Sequence, residues 1–549
     1  MDLLFRSVFS FFRSFTVPVV IGLAAGGVLL IVLSFLATTD WLRLSATRRL
    51  AGEAAAAAAL AVTKSPETAD IAAFAAARAV TGGGEVAVMA ERGSARPGPS
   101  GLVFTVGPGE VTRVTISMTT RSLLGTPIGL GQRSVTTSAM AVRTGVAALT
   151  ERTTAVPDLP AVPAAIETQL FGSAGALAPG ERSMLGQSTF RVADLVAELA
   201  RTLSARDGST ETGVSAVAGA SFKTSELLLA LGSLYRDNAR SSTEAAGMLA
   251  IINRLARSVG AGEEMAVPFI SVISLAGSEA DLTLAAPIRP LEFVQSVMRA
   301  RLALGATTIE LKSPVTGIDA VALTLKSDSA AAAVLIGGED GVVGIPPIRI
   351  NARFIISGLA IPGADAIELP LEVTLSSGDA RIRRISCSSA DPEITVIGRP
   401  VRASVVFAAN EATSPSHASD YVRLVAVDGL TAWAKGRSSF ADDPPVELVF
   451  RPGTGDTVAS LRSPIDFSNR LERLAAETQV LVSLEGAARG VMSEGGVRDE
   501  ISRLIVGSVK PVDAVLSSVF ATFGIVPGKM DVVAAGASCN RATLLGEAK

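Results

Sequence analysis

Hydrophobic and polar positions along this chain fall into distinct regimes. Residues 14–39, SFTVPVVIGLAAGGVLLIVLSFLATT, carry no charge. As a helix, about 26 residues reach roughly 39 Å, more than the roughly 30 Å of a bilayer's hydrocarbon core. The stretch predicts a transmembrane helix. Residues 1–13, MDLLFRSVFSFFR, pair Phe with Arg and read as an interfacial lead-in, a short cytoplasmic tail. Asp40, Trp41 and Arg43 stand at the expected membrane–water boundary. The apolar run is longer than the roughly 7–15 residues of a signal-peptide core, and no A-x-A closes it, so a retained anchor is expected. Arg6 and Arg13 lie on one side, and Arg43, Arg48 and Arg49 on the other. Charge therefore does not set the orientation, and a cytoplasmic tail is the easier topology. Beyond residue 40 the chain is too polar and too often broken by Gly and Pro to cross again, which predicts a single pass.

From residue 40 to 81 the pattern stays helical and rich in Ala, with Pro66 ending or kinking it. The period then changes. Alternation at 103–106, 111–118 and 134–142 predicts a small β unit within 82–150. Residues 151–187 carry Pro157, Pro160, Pro163 and Pro179 among Ala, Gly and Ser and read as a linker. Val192, Leu195, Val196, Leu199 and Leu203 have helical spacing and open a mixed region at 188–400. A phrase recurs there, with a basic residue three before an acidic one at Arg191/Asp194, Lys223/Glu226, Arg289/Glu292 and Lys510/Asp513. It reads either as a set of helix starts with an acid in the first turn or as a repeated strand–helix unit. Residues 310–397 are mostly strands punctuated by Gly and Pro, and 401–549 form a C-terminal β-rich, mixed region. The fold class is α+β: one transmembrane helix extended by an Ala-rich helix, then a strand-rich mixed region.

Composition narrows the chemistry. The net charge of -3 over 549 residues suggests no nucleic-acid partner, and 4% aromatics leave a core built from Ala, Val, Leu and Ile. The single histidine, His417, lies in a Ser/Ala-rich stretch that reads as an exposed loop, so the usual Ser-His-Asp and Cys-His sites have no support. Two cysteines and one histidine cannot supply a usual zinc set. Gly528-Lys529 lacks the rest of a P-loop, and Gly82 to Gly84 does not join a strand to a helix. The carboxylate pairs Glu263-Glu264 and Asp442-Asp443 read as solvated loop faces, and Trp433 as core packing. No catalytic, cofactor-binding or metal-binding residue is assigned, and no cofactor is expected. Gly22 and Gly26 have GxxxG spacing, either a helix–helix contact or chance in a Gly-rich segment.

One resemblance joins these pieces. A single anchor, D-W-L-R-L then R-R-L (Asp40, Leu44, Arg48, Arg49, Leu50), an Ala-rich helix, and VTRVTISMTTRSLLGTPIGLGQRSVTTSAMAV with Leu124, Gly125 and Ala139 are similar to the TadE/TadG family of tight-adherence (Flp) pilus assembly. The later part resembles the TadG-like C-terminal region, with Pro346-Pro347 before a strand, Leu369-Pro370-Leu371, A-x-I-x-x-I-S-C from Ala380 to Cys387, and GKMDVVAAGASC ending at Cys539. The likeness covers roughly two thirds of the sequence. It departs in residues 400–500, which align loosely, and in the Thr-Ala-Gln phrase, reduced to Ala352. No D-x-S-x-S run and no prepilin-type Gly–Glu leader are found, so neither a von Willebrand A-type domain nor prepilin processing is expected.

The resemblance implies a non-enzymatic scaffold or pilus-associated protein of the bacterial inner membrane, with its bulk in the periplasm. The partners implied are the membrane, other pilus-assembly proteins or pilins, and further copies of itself in a homo-oligomer. Cys387 and Cys539 match the family's cysteines, which favours a disulfide between them over two buried free thiols. The alternatives are a membrane-anchored envelope hydrolase, which needs an acid/base pair in a cleft, and an envelope-polymer binding protein, which needs an exposed aromatic platform.

Overall fold

The computed structural model describes the backbone of residues 2–64, 68–82, 85–98, 101–107, 109–123, 131–152, 157–208, 213–236, 238–240, 242–259, 265–276, 279–285, 287–361, 363–387, 392–408, 421–427, 429–439, 444–452, 457–464, 466–485 and 493–547, with side chains from residue 26 onward in the first helix. Among the described residues helix makes up 43% and strand 40%, the balance of an α+β chain. The chain divides into two compact units, Met1–Thr144 with Cys539–Lys549, and Gly145–Ser538.

The first unit is organised by helix α1 (Asp2–Lys64), which runs unbroken from the apolar stretch into the Ala-rich one. Helix α2 (Ala69–Thr81) follows and ends on Gly82, whose φ of 66° lets its N–H reach the Arg78 carbonyl. Strands β1 (Val86–Gly98), β2 (Gly101–Val106), β3 (Val111–Arg121) and β4 (Gln132–Glu151) pair antiparallel in the order β2-β1-β3-β4. Alternation in β3 turns Val114, Ile116 and Met118 inward. They meet Ala51, Ala54, Ala55, Ala58, Ala59 and Val62 of α1, with Ala73 and Ala77 of α2. Alanines recurring at three- and four-residue spacing make one smooth helical face. A face without side-chain bulk lets helix and sheet approach closely, which explains the composition of this stretch. The chain leaves this unit along β4 and returns to it along the C-terminal strand Lys529–Glu547.

In the second unit, a six-stranded antiparallel sheet runs in the order Arg437–Ser438, Ala403–Phe407, Ala364–Leu375, Ile348–Ile361, Ile318–Ser327, Thr307–Val315. Its central strand buries Ile348, Ile350, Ala352, Phe354 and Ile356, while Arg353 on the opposite face pairs with Glu368 at 2.9 Å. Pro370 interrupts a central strand, yet the ladder to Ala403–Phe407 starts only at Leu371, so its missing N–H costs that ladder nothing. A second sheet joins Val342–Ile345, Gly378–Ser386, Glu393–Arg399 and Val446–Phe450. There the register slips between Ile382 and Arg384. The bulge absorbs the extra residue in A-x-I-x-x-I-S-C and keeps Ala380, Ile382, Ile385 and Cys387 all buried. Three strands, Val422–Val427, Leu430–Lys435 and Gln479–Leu484, form a third sheet.

Helices α3 (Ala161–Phe171), α4 (Pro179–Gln187), α5 (Val192–Asp207), α6 (Val214–Gly219), α7 (Thr224–Arg236), α8 (Thr243–Val259), α9 (Pro290–Leu304), α10 (Phe467–Glu477) and α11 (Glu494–Thr522) join the six-stranded sheet in one core. Helix α11 is long and apolar enough to cross a membrane, but half of its apolar window is buried, with Ile501, Ile505, Val515, Leu516 and Val519 in this core.

Several expectations are corrected. Residues 151–187 are not a linker: α3 and α4 occupy them, and Val162, Ile166, Leu170 and Leu185 are buried. Prolines there stand at helix starts, Pro160 at the cap of α3 and Pro179 at the first position of α4, where no intrahelical N–H is lost. The small β unit ends at residue 144 and takes in the far C-terminus, whereas 401–538 belongs with the preceding region. Three of the recurring phrases do start helices, as Lys223 and Arg289 N–H donate to Glu226 (2.8 Å) and Glu292 (3.1 Å), and Arg191 caps α5. Lys510 and Asp513 instead lie inside α11, where Asp513 accepts from Ser468 at 2.7 Å. Trp433 is only half-buried, since alternation gives the inward positions to Ala432 and Ala434.

Candidate functional site

Two places in the molecule gather polar groups in a way the fold alone does not demand. The first is the point where the apolar stretch of α1 meets the first unit. Val28, Leu29, Leu30, Ile31, Val32, Leu33 and Phe35 are exposed, with Ile31 at 71%. A helix longer than a bilayer and bare along its apolar part is a candidate membrane span. At its end Asp40 is half-buried and bound: Ser122 Oγ donates to Oδ2 at 2.7 Å and the Leu123 N–H to Oδ1 at 2.8 Å. Both oxygens therefore hold the turn that follows β3. Trp41 and Arg43 point away and are exposed. Gly26 has open space where a Cβ would stand, and the surroundings of Gly22 lie outside the described residues. Leu124, Gly125, Glu263, Glu264, His417, Asp442 and Asp443 also lie outside them.

Both cysteines, Cys387 and Cys539, are disulfide-bonded and buried. Cys539 sits in the C-terminal strand, where its carbonyl accepts from Arg143 Nε at 2.6 Å. Gly145 faces Cys387: a Cβ there would stand 2.2 Å from Ile385 and 3.3 Å from the Cys387 sulfur.

The second place is a cavity of about 760 Å³ inside the second unit, between the starts of α3, α4 and α9. Its wall is apolar, with Pro160, Pro163 and Pro179 prominent, and its charged groups are Arg182, Arg289 and Glu292. Behind the wall Glu167 is almost fully buried, 2.6 Å from Arg182, and accepts the Leu177 N–H at 2.8 Å. Burial pushes its carboxyl up to about 7, against the pull of Arg182, the Leu177 N–H and Arg254. Burial also raises Glu292, opposed by the Arg289 N–H and by Arg152, whose Nε lies 3.5 Å away. Deeper still, Arg299 and Glu151 form a buried pair at 3.2 Å, and Arg299 also reaches the Phe523 carbonyl. The cavity is hidden in the sequence because its first wall, rich in Pro, Ala and Gly, has the composition of a linker. The signal was the spacing of Val162, Ile166 and Leu170, an apolar helical stripe with Glu167 beside it.

Comparisons with protein families, curated proteins and solved structures find no match to this chain.

Proposed function

We propose that this chain is a TadG-like, non-enzymatic component of tight-adherence pilus assembly or export. It is held in the bacterial inner membrane by a single pass of residues 14–39, with its bulk in the periplasm. It acts there as a scaffold or pilus-associated protein, contacting other assembly proteins or pilins. The observation that carries the reading is the continuity of α1: a bare apolar helix becomes, without a break, the spine of a sheet-bearing unit, and Asp40 ties the sheet to it at the boundary. An unbroken helix transmits position and tilt from the membrane to the attached unit, as a scaffold requires. The link to pilus assembly rests on the sequence resemblance.

Two experiments test the parts separately. For topology, Thr308, exposed on the edge strand of the six-stranded sheet, is changed to Cys in a chain whose two native cysteines are Ser. An impermeant maleimide should label Thr308→Cys in intact spheroplasts, and labelling only after lysis rejects the periplasmic placement. For function, deletion of the coding sequence should remove surface filaments seen by electron microscopy, and a plasmid copy should restore them. A deletion strain with normal filaments rejects the pilus reading.

A further inference from the structure

The cavity in the second unit has the features of a ligand site, and its polar groups specify the ligand. Its volume of about 760 Å³ falls within the roughly 300–1,000 Å³ of typical ligand pockets. The prolines of its wall offer no N–H to compete for a ligand's acceptors. Three helices of 11, 9 and 15 residues start on it, at Pro160, Ala178 and Arg289. Their positive ends favour negative charge. Arg182 Nη2 stands 2.6 Å from Glu167 Oε1 as an ion pair, and the guanidinium makes no other side-chain contact to a described acceptor. Arg289 comes no nearer to a carboxylate than 3.8 Å, at Glu292, and its guanidinium makes no hydrogen bond among the described residues. Gln295, only 7% exposed, supplies the last element. Its Nε2 donates to the Ala521 carbonyl at 3.3 Å, which fixes the amide orientation. Gln295 lines the cavity, and its Oε1, beside Gly524, has no donor among the described residues.

The ligand follows from these groups. Arg182 is paired with Glu167, and Arg289 and Arg152 both face Glu292, so three guanidiniums against two carboxylates leave one positive charge, which suits a single negative charge better than a phosphate dianion. The Gln295 oxygen, accessible from the cavity, offers an acceptor for an N–H close to that charge. The rest of the wall asks for an apolar body. We propose that the cavity captures the C-terminal residue of an extended peptide. The terminal carboxylate lies between Arg182 and Arg289, the last N–H donates to Gln295 Oε1, and an apolar terminal side chain packs on Pro160, Pro163 and Pro179. Capture of a chain terminus is an established mode of peptide recognition. The inference stands apart from the pilus reading and survives its failure.

The test uses the full chain in lipid nanodiscs and fluorescence polarisation. The probe is a hexapeptide labelled at its N-terminus and ending in a Leu with a free carboxylate. It should bind saturably, and its C-terminal amide should bind at least about tenfold more weakly, the weight of a lost charge-assisted hydrogen bond. Arg182→Gln leaves Glu167 buried without its partner and risks the fold, so the decisive variants are Arg289→Gln and Gln295→Leu. Each should weaken the acid peptide at least about fivefold while leaving the thermal midpoint within a few degrees. Hexanoate, a carboxylate with no N–H, should compete only at far higher concentration and be indifferent to Gln295→Leu. Equal binding of acid and amide, no binding of either, or hexanoate competing as well as the peptide each overturns the assignment.

Discussion

Ser122 donates its hydroxyl to Asp40 at 2.7 Å, closing a contact across 82 residues of chain. The same carboxylate takes the Leu123 N–H on its other oxygen. One side chain thus ends the bare part of α1 and anchors the turn after β3. Hydrogen bonds to a charged group contribute about 1.5–3 kcal/mol each when well shielded, and Asp40 is only half-buried. Asp40→Ala should therefore destabilise the turn by about 1–3 kcal/mol in total. Hydrogen exchange at the Leu123 amide should accelerate, with little change in the core of β3. Asp40→Asn keeps one acceptor and should lose less. Unchanged exchange in Asp40→Ala would show that the turn holds itself.

The Ala face of α1 makes a second prediction. Ala58 is fully buried against the sheet, whereas Ala57, one residue earlier, is half-exposed. Ala58→Leu forces bulk into a packed interface and should cost about 1–3 kcal/mol. Ala57→Leu should cost much less, because its side chain has room. Thermal unfolding followed by near-ultraviolet circular dichroism separates them. Equal effects would mean that the face is looser than its packing indicates.

The α+β class, the unbroken helical character of the N-terminus and the strand alternation of 310–397 were legible in the sequence, because each rests on a period. The Leu-Pro-Leu phrase and the spacing in A-x-I-x-x-I-S-C were legible as patterns, but their reasons were not. Pro370 is tolerated because a neighbouring ladder begins one residue later, and the extra residue before Ile385 is a bulge, and both depend on partner strands distant in sequence. The helices within 151–187 are not legible, because proline in a helix's first turn looks like proline in a loop. The cavity was hidden for the same reason. Arg182, Arg289 and Gln295 meet only when α3, α4 and α9 bring their starts together, and no local spacing encodes that meeting.

Glu167 should make stability depend on pH. Its carboxyl is raised to about 7 in the fold, against about 4.3 in an unfolded chain. Between those values the folded state binds the extra proton, so stability falls as pH rises through this window and levels off above it. Near-complete burial leaves the effect little screened, on the order of 3–4 kcal/mol at most. Glu292, also raised by burial, adds to the same slope. Glu167→Gln keeps an acceptor for the Leu177 N–H and removes the titration. Thermal midpoints of the parent should drop between about pH 5 and pH 7.5, and those of Glu167→Gln should drop less. Parallel curves would assign the slope elsewhere.

Gly145 is held close to Ile385 and Cys387, with a Cβ at this position placed 2.2 Å from the Ile385 side chain. The atom it meets lies next to the backbone rather than at a flexible tip, so the neighbouring strand must move. Gly145→Ala should cost about 1–3 kcal/mol, as overpacking does, and displace Cys387 from bonding geometry, which tolerates little error. Two outcomes are read together in thiol titrations under denaturing conditions without reductant. The parent should show no free thiol, since both cysteines are bonded, and Gly145→Ala should show a fraction with both thiols free. The double variant Cys387→Ser with Cys539→Ser should lose about 2–5 kcal/mol, which bounds how much of the Gly145→Ala effect passes through the disulfide. A fully oxidised Gly145→Ala protein of parental stability would mean that the strand carrying Ile385 yields freely, and the tight approach at Gly145 would then have no structural role.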